Sequence, residues 1–390
     1  MSLFSRTDKS LLGRWWWTVD RGMLALILSI IAYGVVLVAA ASPPVAERIG
    51  AGEYHFIIRH LILLAPALVI LFGMSLCDKQ MIWRAALCVL GGGLVAMVLV
   101  LAIGPEVKGA TRWLPIFGFS LQPSEFVKPA FVVVAAWLIA REKEVPTFAG
   151  QKWALGLFAL VISLLLMQPD LGMSIVVSGC FLGLIFLAGL RLRLVALLLG
   201  VALGALIMAY FSFSHVQSRI DRFMDPSSGD TYQVEQSLEA FKNGGVFGTG
   251  AGQGTVKLNI PDAHADFIFS VAGEELGMMF VLLMVLLYGG VIVRGFNRVM
   301  DSDDLFAVLA TGGLLIMFGG QALIHMGSAL SLLPTKGMTL PFISYGGSSL
   351  LAMAMSMGFV LALTRKQANR GIARGSLSLK PTPNSVKAYS

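Results

Sequence analysis

The sequence predicts an all-α polytopic membrane protein of about ten transmembrane helices. Three observations carry that prediction. Hydrophobic residues make up 56% of the 390 and charged residues only 13%, roughly half the charged share of a soluble domain. Mean hydropathy is +0.80. The apolar residues gather into ten stretches, most of them near the roughly 20 residues that cross a bilayer core. A single soluble enzyme, a disordered chain and a coiled coil are excluded, because no globular core of this size buries that much apolar surface. Cys77, Cys88 and Cys180 lie in apolar stretches. They read as small core residues, not as a disulfide set or a metal site.

In chain order the expected spans are 22–41, 56–77, 83–103, 126–140, 153–168, 172–189, 194–213, 267–293, 305–327 and 343–363. The fourth and fifth are short, which leaves tilted or re-entrant passage open. The first follows a charged start (Arg6, Lys9, Arg14) with no small-residue cleavage site, so it reads as an anchor and not a removed signal peptide. With the N-terminus in the cytoplasm, 19 of the 29 Lys+Arg fall inside, as the positive-inside rule requires. Both termini are therefore expected to be cytoplasmic, and the formal charge of +7 is mostly topological. The Trp15–Trp17 run suits an anchor at the inner interface. Three regions result: a cytoplasmic segment 1–21, a membrane domain 22–364, and a basic tail 365–390 too poor in apolar residues to fold alone.

Three outside segments stand out. Segment 104–129 is polar and turn-rich, 328–345 is rich in Gly, Pro and Ser, and 214–265, between the seventh and eighth spans, is far longer than an ordinary connection. Chemistry on a helical scaffold tends to sit in such segments.

Within them lie the candidate residues. Asp266 stands where the long loop enters the eighth span, beside His264 and Asp262. On a helix it would share a face with Ser270, Gly273 and Gly277. Locally Asp266 fits a plain helix cap; at a membrane–water boundary it also fits a general base. Glu274 and Glu275 follow inside the apolar run, where a carboxylate needs a partner or a polar cavity; only Glu274 lies near the Asp266 face. The loop offers Arg219, Arg222, Gln236, Ser237 and a glycine run from Gly244 to Gly254, followed by Lys257. That run matches neither dinucleotide nor Walker spacing, leaving a flexible loop or a cradle for a phosphorylated lipid headgroup. Arg112 precedes Gln122-Pro123-Ser124-Glu125, and Lys128, three residues on, lies inside the apolar boundary; it pairs with Glu125 or faces a polar cavity. Gln168-Pro169-Asp170-Leu171-Gly172 reads as a tight turn. Leu333–Ser349, with Ser344 and Ser348, cannot form a plain apolar helix and suits a buried or cavity-lining segment.

Taken together, these strings resemble the SEDS family (shape, elongation, division and sporulation), bacterial membrane proteins that polymerise peptidoglycan glycan strands. The resemblance runs from about Trp15 to Arg365. It rests on the ordered set Gly109–Trp113, Gln122–Glu125 with Lys128, Gln168–Gly172, Gln236-Ser237, Gly248–Lys257, His264–Phe269 with Glu274–Gly277, and Leu340–Ser349. The Trp-rich start with Asp20, the Gly337–Pro341 string and the basic tail are most similar to the division branch. Ala265, Met173 and His325 depart from the residues common in the family, without removing a charged candidate.

The resemblance implies a glycosyltransferase that uses lipid II as donor and acceptor. It implies Asp266 as the general base of an inverting transfer. It suggests Lys257, Arg222 and Lys128 as partners of the diphosphate, with Arg219, Arg112, Glu125, Gln236, Ser237, His264, Glu274, Ser344 and Ser348 around the substrates. A divalent cation (Mg or Mn) is an open expectation, without an evident ligand cluster. The implied partner is a class B penicillin-binding protein, the division transpeptidase FtsI, with other division proteins. The implied place is the bacterial inner membrane at the septum. A lipid II flippase and a non-catalytic division scaffold remain as alternatives.

Overall fold

The computed structural model describes residues 10–107, 110–116, 118–189, 214–225, 231–300, 302–334 and 337–366, with a few isolated positions between 200 and 211. Most of the expected seventh span, the tail beyond 366, Lys108 and Lys336 lie outside the described residues.

The helices, in chain order, are α1 (Leu11–Thr18), α2 (Arg21–Arg48), α3 (His55–Leu76), α4 (Lys79–Ile103), α5 (Pro123–Glu144), α6 (Gly150–Met167), α7 (Leu171–Leu187), α8 (Ser214–Met224), α9 (Tyr232–Gly244), α10 (Ile268–Val299), α11 (Leu305–Ala329) and α12 (Gly347–Leu363). Among the described residues, seven helices are long and apolar enough to span a bilayer, and α7 and α12 are shorter apolar helices. The chain is a multi-pass α-helical membrane protein. The fourth and fifth spans are longer than the sequence suggested, at 22 and 18 residues. In α5 the helix starts at Pro123, where a ring at the first turn removes no needed N–H. It therefore carries Glu125 and Lys128 within its first turns.

Two helices form the centre. In α5 83% of the apolar window is buried within the protein and in α11 72%, against 22% in α3. A helix apolar all round belongs inside, and one with an outward apolar face belongs against lipid. Around this centre α4, α6 and α12 pack on α5, α7 and α10 on α11, α2 on α10, and α3 on α12. Asp20 ties the ends of two of these helices. It caps α2 by accepting from the Met23 N–H (3.0 Å) and pairs with Arg294 (2.7 Å) and Arg298 (2.5 Å) of α10. The Trp run is not a simple interfacial anchor. Trp15 turns inward, donating its indole N–H to Ser75 (2.9 Å), while Arg21 lies 5.4 Å from the ring centres of Trp16 and Trp17. Of the cysteines only Cys180 is a core residue; Cys77 is half-buried and Cys88 exposed.

The outside segments are folded. Segment 104–121 makes two antiparallel hairpins, Glu106–Val107 on Ala110–Thr111 and Leu114–Ile116 on Phe119–Leu121. Loop 214–265 contains α8, α9 and a 3-10 turn at Val256–Asn259.

The expected continuous stripe Asp266–Ser270–Gly273–Gly277 is not formed. Asp266 precedes α10 in a turn, and α10 breaks at Gly277 (φ 78°, ψ 177°), a conformation essentially reserved for glycine. The backbone groups around the break are met by the glycine run. Thr249 and Gly250 N–H donate to the Glu274 and Glu275 carbonyls (2.9 and 3.0 Å), and Met278 N–H donates to the Gly245 carbonyl (3.0 Å). A Cβ on Gly277 would come within 2.3 Å of the Gly248 nitrogen. Gly277→Ala is therefore expected to lower stability by about 1–3 kcal/mol from conformation alone, more with the clash. A fall in the thermal midpoint of the detergent-solubilised protein checks it.

Candidate active site

At the hairpin end of the bundle, opposite the end bearing Lys79, Arg141, Arg294 and Arg298, lies a cleft of about 900 Å³. Its walls come from the start of α3 (Phe56, Arg59, Leu63), the hairpins (Arg112, Trp113, Ser120), Gln233 of α9, the turn before α10 (Asp262, Asp266) and the segment entering α12 (Gly337, Tyr345, Ser348). Among the described residues its charged lining is Arg59, Arg112, Asp262 and Asp266.

Arg59 stands on α3, while Arg112, Asp262 and Asp266 are positioned by backbone outside the helices. Residues 262–266 form one turn, with Asp266 N–H donating to the Asp262 carbonyl at 3.0 Å. That turn is stitched to segment 338–346: the Ser344 hydroxyl donates to the Ala265 carbonyl (2.6 Å) and Tyr345 N–H to the His264 carbonyl (2.9 Å). Gly34 of α2 admits the segment, since a Cβ there would meet the Phe342 carbonyl at 2.3 Å. The Asp266 carboxylate, half-buried, lies against Gly337, where a Cβ would stand 3.0 Å from Oδ2.

Arg112 is held by the turn at 168–170. It donates to the Gln168 carbonyl (3.1 Å) and the Pro169 carbonyl, and stands 3.8 Å from Asp170. That turn caps α7 through Asp170 and Met173 N–H (3.2 Å), so its work is to aim the arginine. Ser348 accepts from Gln122 N–H (2.9 Å) and fixes the start of α5 beside the cleft.

The cleft thus gathers Asp266, Arg112 and Ser348 of the sequence-derived candidates, with Ser344 and His264 directly behind. The others lie elsewhere. His264 is buried between Phe56 (ring centres 4.1 Å) and Tyr345 (5.3 Å). Lys128 is buried on α5, paired with Glu125 (2.9 Å) and donating to Gln321 (2.9 Å). Ser237 bonds Ser270 (2.5 Å) and the Ala329 carbonyl (2.6 Å), tying α9 to the bundle. Gln236 is half-buried on α9, one turn from the cleft residue Gln233. Arg219 and Arg222 lie on α8, their side chains outside the described residues.

Glu274 and Lys257 are corrected most. The Glu274 carboxylate accepts from Asn243 (2.8 Å) and from the backbone N–H groups of Thr255, Val256 and Lys257 (2.7–2.8 Å). The N–H groups that hold this carboxylate follow the glycine run, at Thr255, Val256 and Lys257, and the anion they meet is the protein's own. Lys257 is buried against Glu275 and the Ala40 carbonyl (2.9 Å). Neither residue reaches the cleft.

Sequence reasoning passed over Arg59 and Gln233. The available signal for Arg59 was a cation one turn inside an apolar run, which asks for a reason. Arg59 is exposed in the cleft wall, so Arg59→Gln is expected to fold normally. Loss of a charge-assisted contact worth roughly 1.5–3 kcal/mol predicts a fall of about 10–150-fold in kcat/KM.

Burial lowers the His264 imidazole from its ordinary 6.5 to about 4, against a smaller upward pull from Asp262. It is neutral at pH 7. The unfolded chain takes up this proton first, so its contribution to stability is complete above about pH 6.5 and is lost as pH falls towards 4. A His264→Phe variant is expected to flatten that part of the thermal midpoint's fall between pH 7 and 5.

Among the described residues no group of three or more His, Cys, Asp or Glu assembles to hold a metal ion. The cleft's two carboxylates do not by themselves fit a protein-held Mg or Mn.

A family model described as "Cell cycle protein", covering FtsW, RodA and SpoVE, matches residues 21–369. The chain belongs to the FtsW/RodA/SpoVE family. Among its relatives, the probable peptidoglycan glycosyltransferase FtsW of Caulobacter vibrioides is 41% identical over 93% of this chain and 94% of that one. The protein of the same description from Coxiella burnetii is 36% identical over 90% and 98%. Solved relatives share the fold. RodA of Thermus thermophilus superposes with TM-score 0.67 at 27% identity, over 90% of this chain and 99% of that one. A chain from work on "structural coordination of polymerization and crosslinking by a peptidoglycan synthase complex" gives 0.73 at 27% identity, over 89% and 97%. In this FtsW/RodA/SpoVE member the cleft draws on the strings around Arg112, Asp266 and Tyr345–Ser348.

Proposed function

We propose that this chain is a peptidoglycan glycosyltransferase that polymerises lipid II during cell division, with the cleft as its active site and Asp266 as general base. The observation that carries the reading is one cleft holding a carboxylate and two guanidinium groups. Sugar transfer from a diphosphate carrier needs both: a proton acceptor at the attacking hydroxyl and fixed positive charge where the leaving group's charge develops. Arg59 and Arg112 receive the donor's diphosphate. The acceptor's sugar 4-hydroxyl loses its proton to Asp266 as its oxygen attacks the donor's anomeric carbon from the face opposite the diphosphate. The carbon–oxygen bond to the diphosphate breaks, its electron pair leaves with the carrier, and the α-linkage becomes a β-1,4 bond. At about 900 Å³ the cleft is at the upper end of ordinary ligand sites, which suits two sugar units.

The chemistry is on the outer face of the bacterial inner membrane, with both termini cytoplasmic, at the septum. Its partner is a class B penicillin-binding protein of the FtsI type, which cross-links the strands. Relatives named FtsW support the division assignment. Reconstitution with that partner in liposomes containing labelled lipid II tests the reading. Muramidase-sensitive polymer is expected. Movement of label between leaflets without polymer supports a flippase, and neither result supports a scaffold.

A further inference from the structure

A second cavity lies at the other end of the bundle. It is an apolar groove of about 560 Å³ between α4, α5 and α6. Trp83 and Trp137 stack in it (ring centres 4.7 Å, 16° between planes), and Trp153, 65% exposed, stands in its wall. Trp83 and Trp153 lie in the first turns of α4 and α6, at the end carrying the Lys and Arg excess. The groove continues from Trp153 to Leu160, seven residues along α6 and so about 10 Å deeper.

Its rim is positive. Arg84 is exposed, with its guanidinium 5.6 Å from the centre of the Trp83 ring, and Lys152 is exposed beside Trp153. The neighbouring acids are engaged. Glu144 pairs with Arg141 (2.7 Å) and Glu142 accepts from Gln151 N–H (2.6 Å). The groove's floor includes Gly156, in the interior of α6, where an added Cβ would meet nothing within 4 Å. A mid-helix glycine costs about 1 kcal/mol against alanine and here leaves room.

We infer that this groove binds an anionic membrane phospholipid, with the acyl chain against Trp83, Trp137 and Gly156 and the headgroup between Arg84 and Lys152. Aromatic groups at headgroup depth, an apolar channel below them and unneutralised cations above match that chemistry from end to end. The site is separate from the cleft, but shares α5, whose other end starts next to Leu121 of the cleft wall. An occupant there fixes α5 at its far end.

Native mass spectrometry of the full chain, released from nanodiscs of equal phosphatidylglycerol and phosphatidylethanolamine, tests this. Wild type is expected to retain phosphatidylglycerol over phosphatidylethanolamine by about tenfold or more, the scale set by two cations at a membrane surface. Gly156→Leu, which fills the groove, is expected to reduce that adduct to background. Arg84→Gln/Lys152→Gln changes only exposed side chains and is expected to retain both lipids equally. Undiminished phosphatidylglycerol on Gly156→Leu overturns the inference, as does no preference in wild type. So does displacement of the phospholipid by added polyprenyl phosphate, which would make the groove an isoprenoid site.

Discussion

An Asp266→Asn variant is expected to fold, to bind lipid-linked substrate, and to polymerise it about 10²–10⁴-fold more slowly, the usual contribution of a positioned base. The amide has the size of the carboxylate, so the close approach of Gly337, where a Cβ would lie 3.0 Å from Oδ2, is preserved. What is lost is an acceptor for the 4-hydroxyl proton. The loss therefore falls on kcat, whereas Arg59→Gln falls on substrate affinity and kcat/KM. Steady-state rates at several lipid II concentrations separate the two. Equal loss of affinity in Asp266→Asn would assign the aspartate to binding.

The second large effect concerns stability. Lys257→Met is expected to destabilise the protein by about 3–5 kcal/mol, because it leaves the Glu275 carboxylate buried without its cation. The pair is almost sealed, with side-chain exposures of 4% and 0%. Lys257→Met/Glu275→Leu removes both charges and is expected to recover most of the loss, since apolar replacement of a whole buried pair is often neutral. The cycle also decides between two roles. If Lys257 only holds the glycine loop to α10, the double variant polymerises lipid II normally. If Lys257 neutralises the diphosphate, the double variant is stable and inactive. Thermal midpoints and polymerisation rates on the four proteins are the readout.

The contrast between Asp266 and Lys257 shows what a sequence of this kind reveals. Span positions were legible because hydropathy is a property of the chain itself; nine of the ten expected spans have a matching helix among the described residues, and the seventh lies mostly outside them. The turn-rich character of 104–129 and 328–345 was legible from Gly, Pro and Ser, although residues 123–129 already belong to α5. Helices α8 and α9 were not, because short polar helices are specified by tertiary packing more than by pattern. The break at Gly277 was hidden for a similar reason. It depends on the glycine run folding back to bond Thr249, Gly250 and Met278, a pairing 25 or more residues apart that periodicity cannot express.

Of the candidate cleft's lining, Asp266 was legible in the sequence and the cations only in part. Asp266 was singled out by its place at a span boundary, and Arg112 by its motif. Glu274 was attractive because charge in an apolar run needs a reason, and Lys257 because it follows a glycine run fit to cradle an anion. That reason has two forms, a substrate or an internal partner, and only coordinates tell them apart. Here both find the partner in the protein. Arg59 failed the opposite way: it looked like one more cation at a helix start, and only the closing of α3 against α12 brings it to the cleft beside Arg112. Ser344 lies between these cases, a hydroxyl whose bond to the Ala265 carbonyl (2.6 Å) positions the turn that carries Asp266.

The most direct test of the account is a product gel. The purified chain and its class B penicillin-binding partner are given labelled lipid II, with wild type and Asp266→Asn run in parallel and both checked for folding. The account predicts a ladder of glycan polymer from wild type and none from the variant. Polymer from both at similar rates would contradict Asp266 as the base, and polymer from neither would contradict the assignment of glycosyl transfer to this cleft.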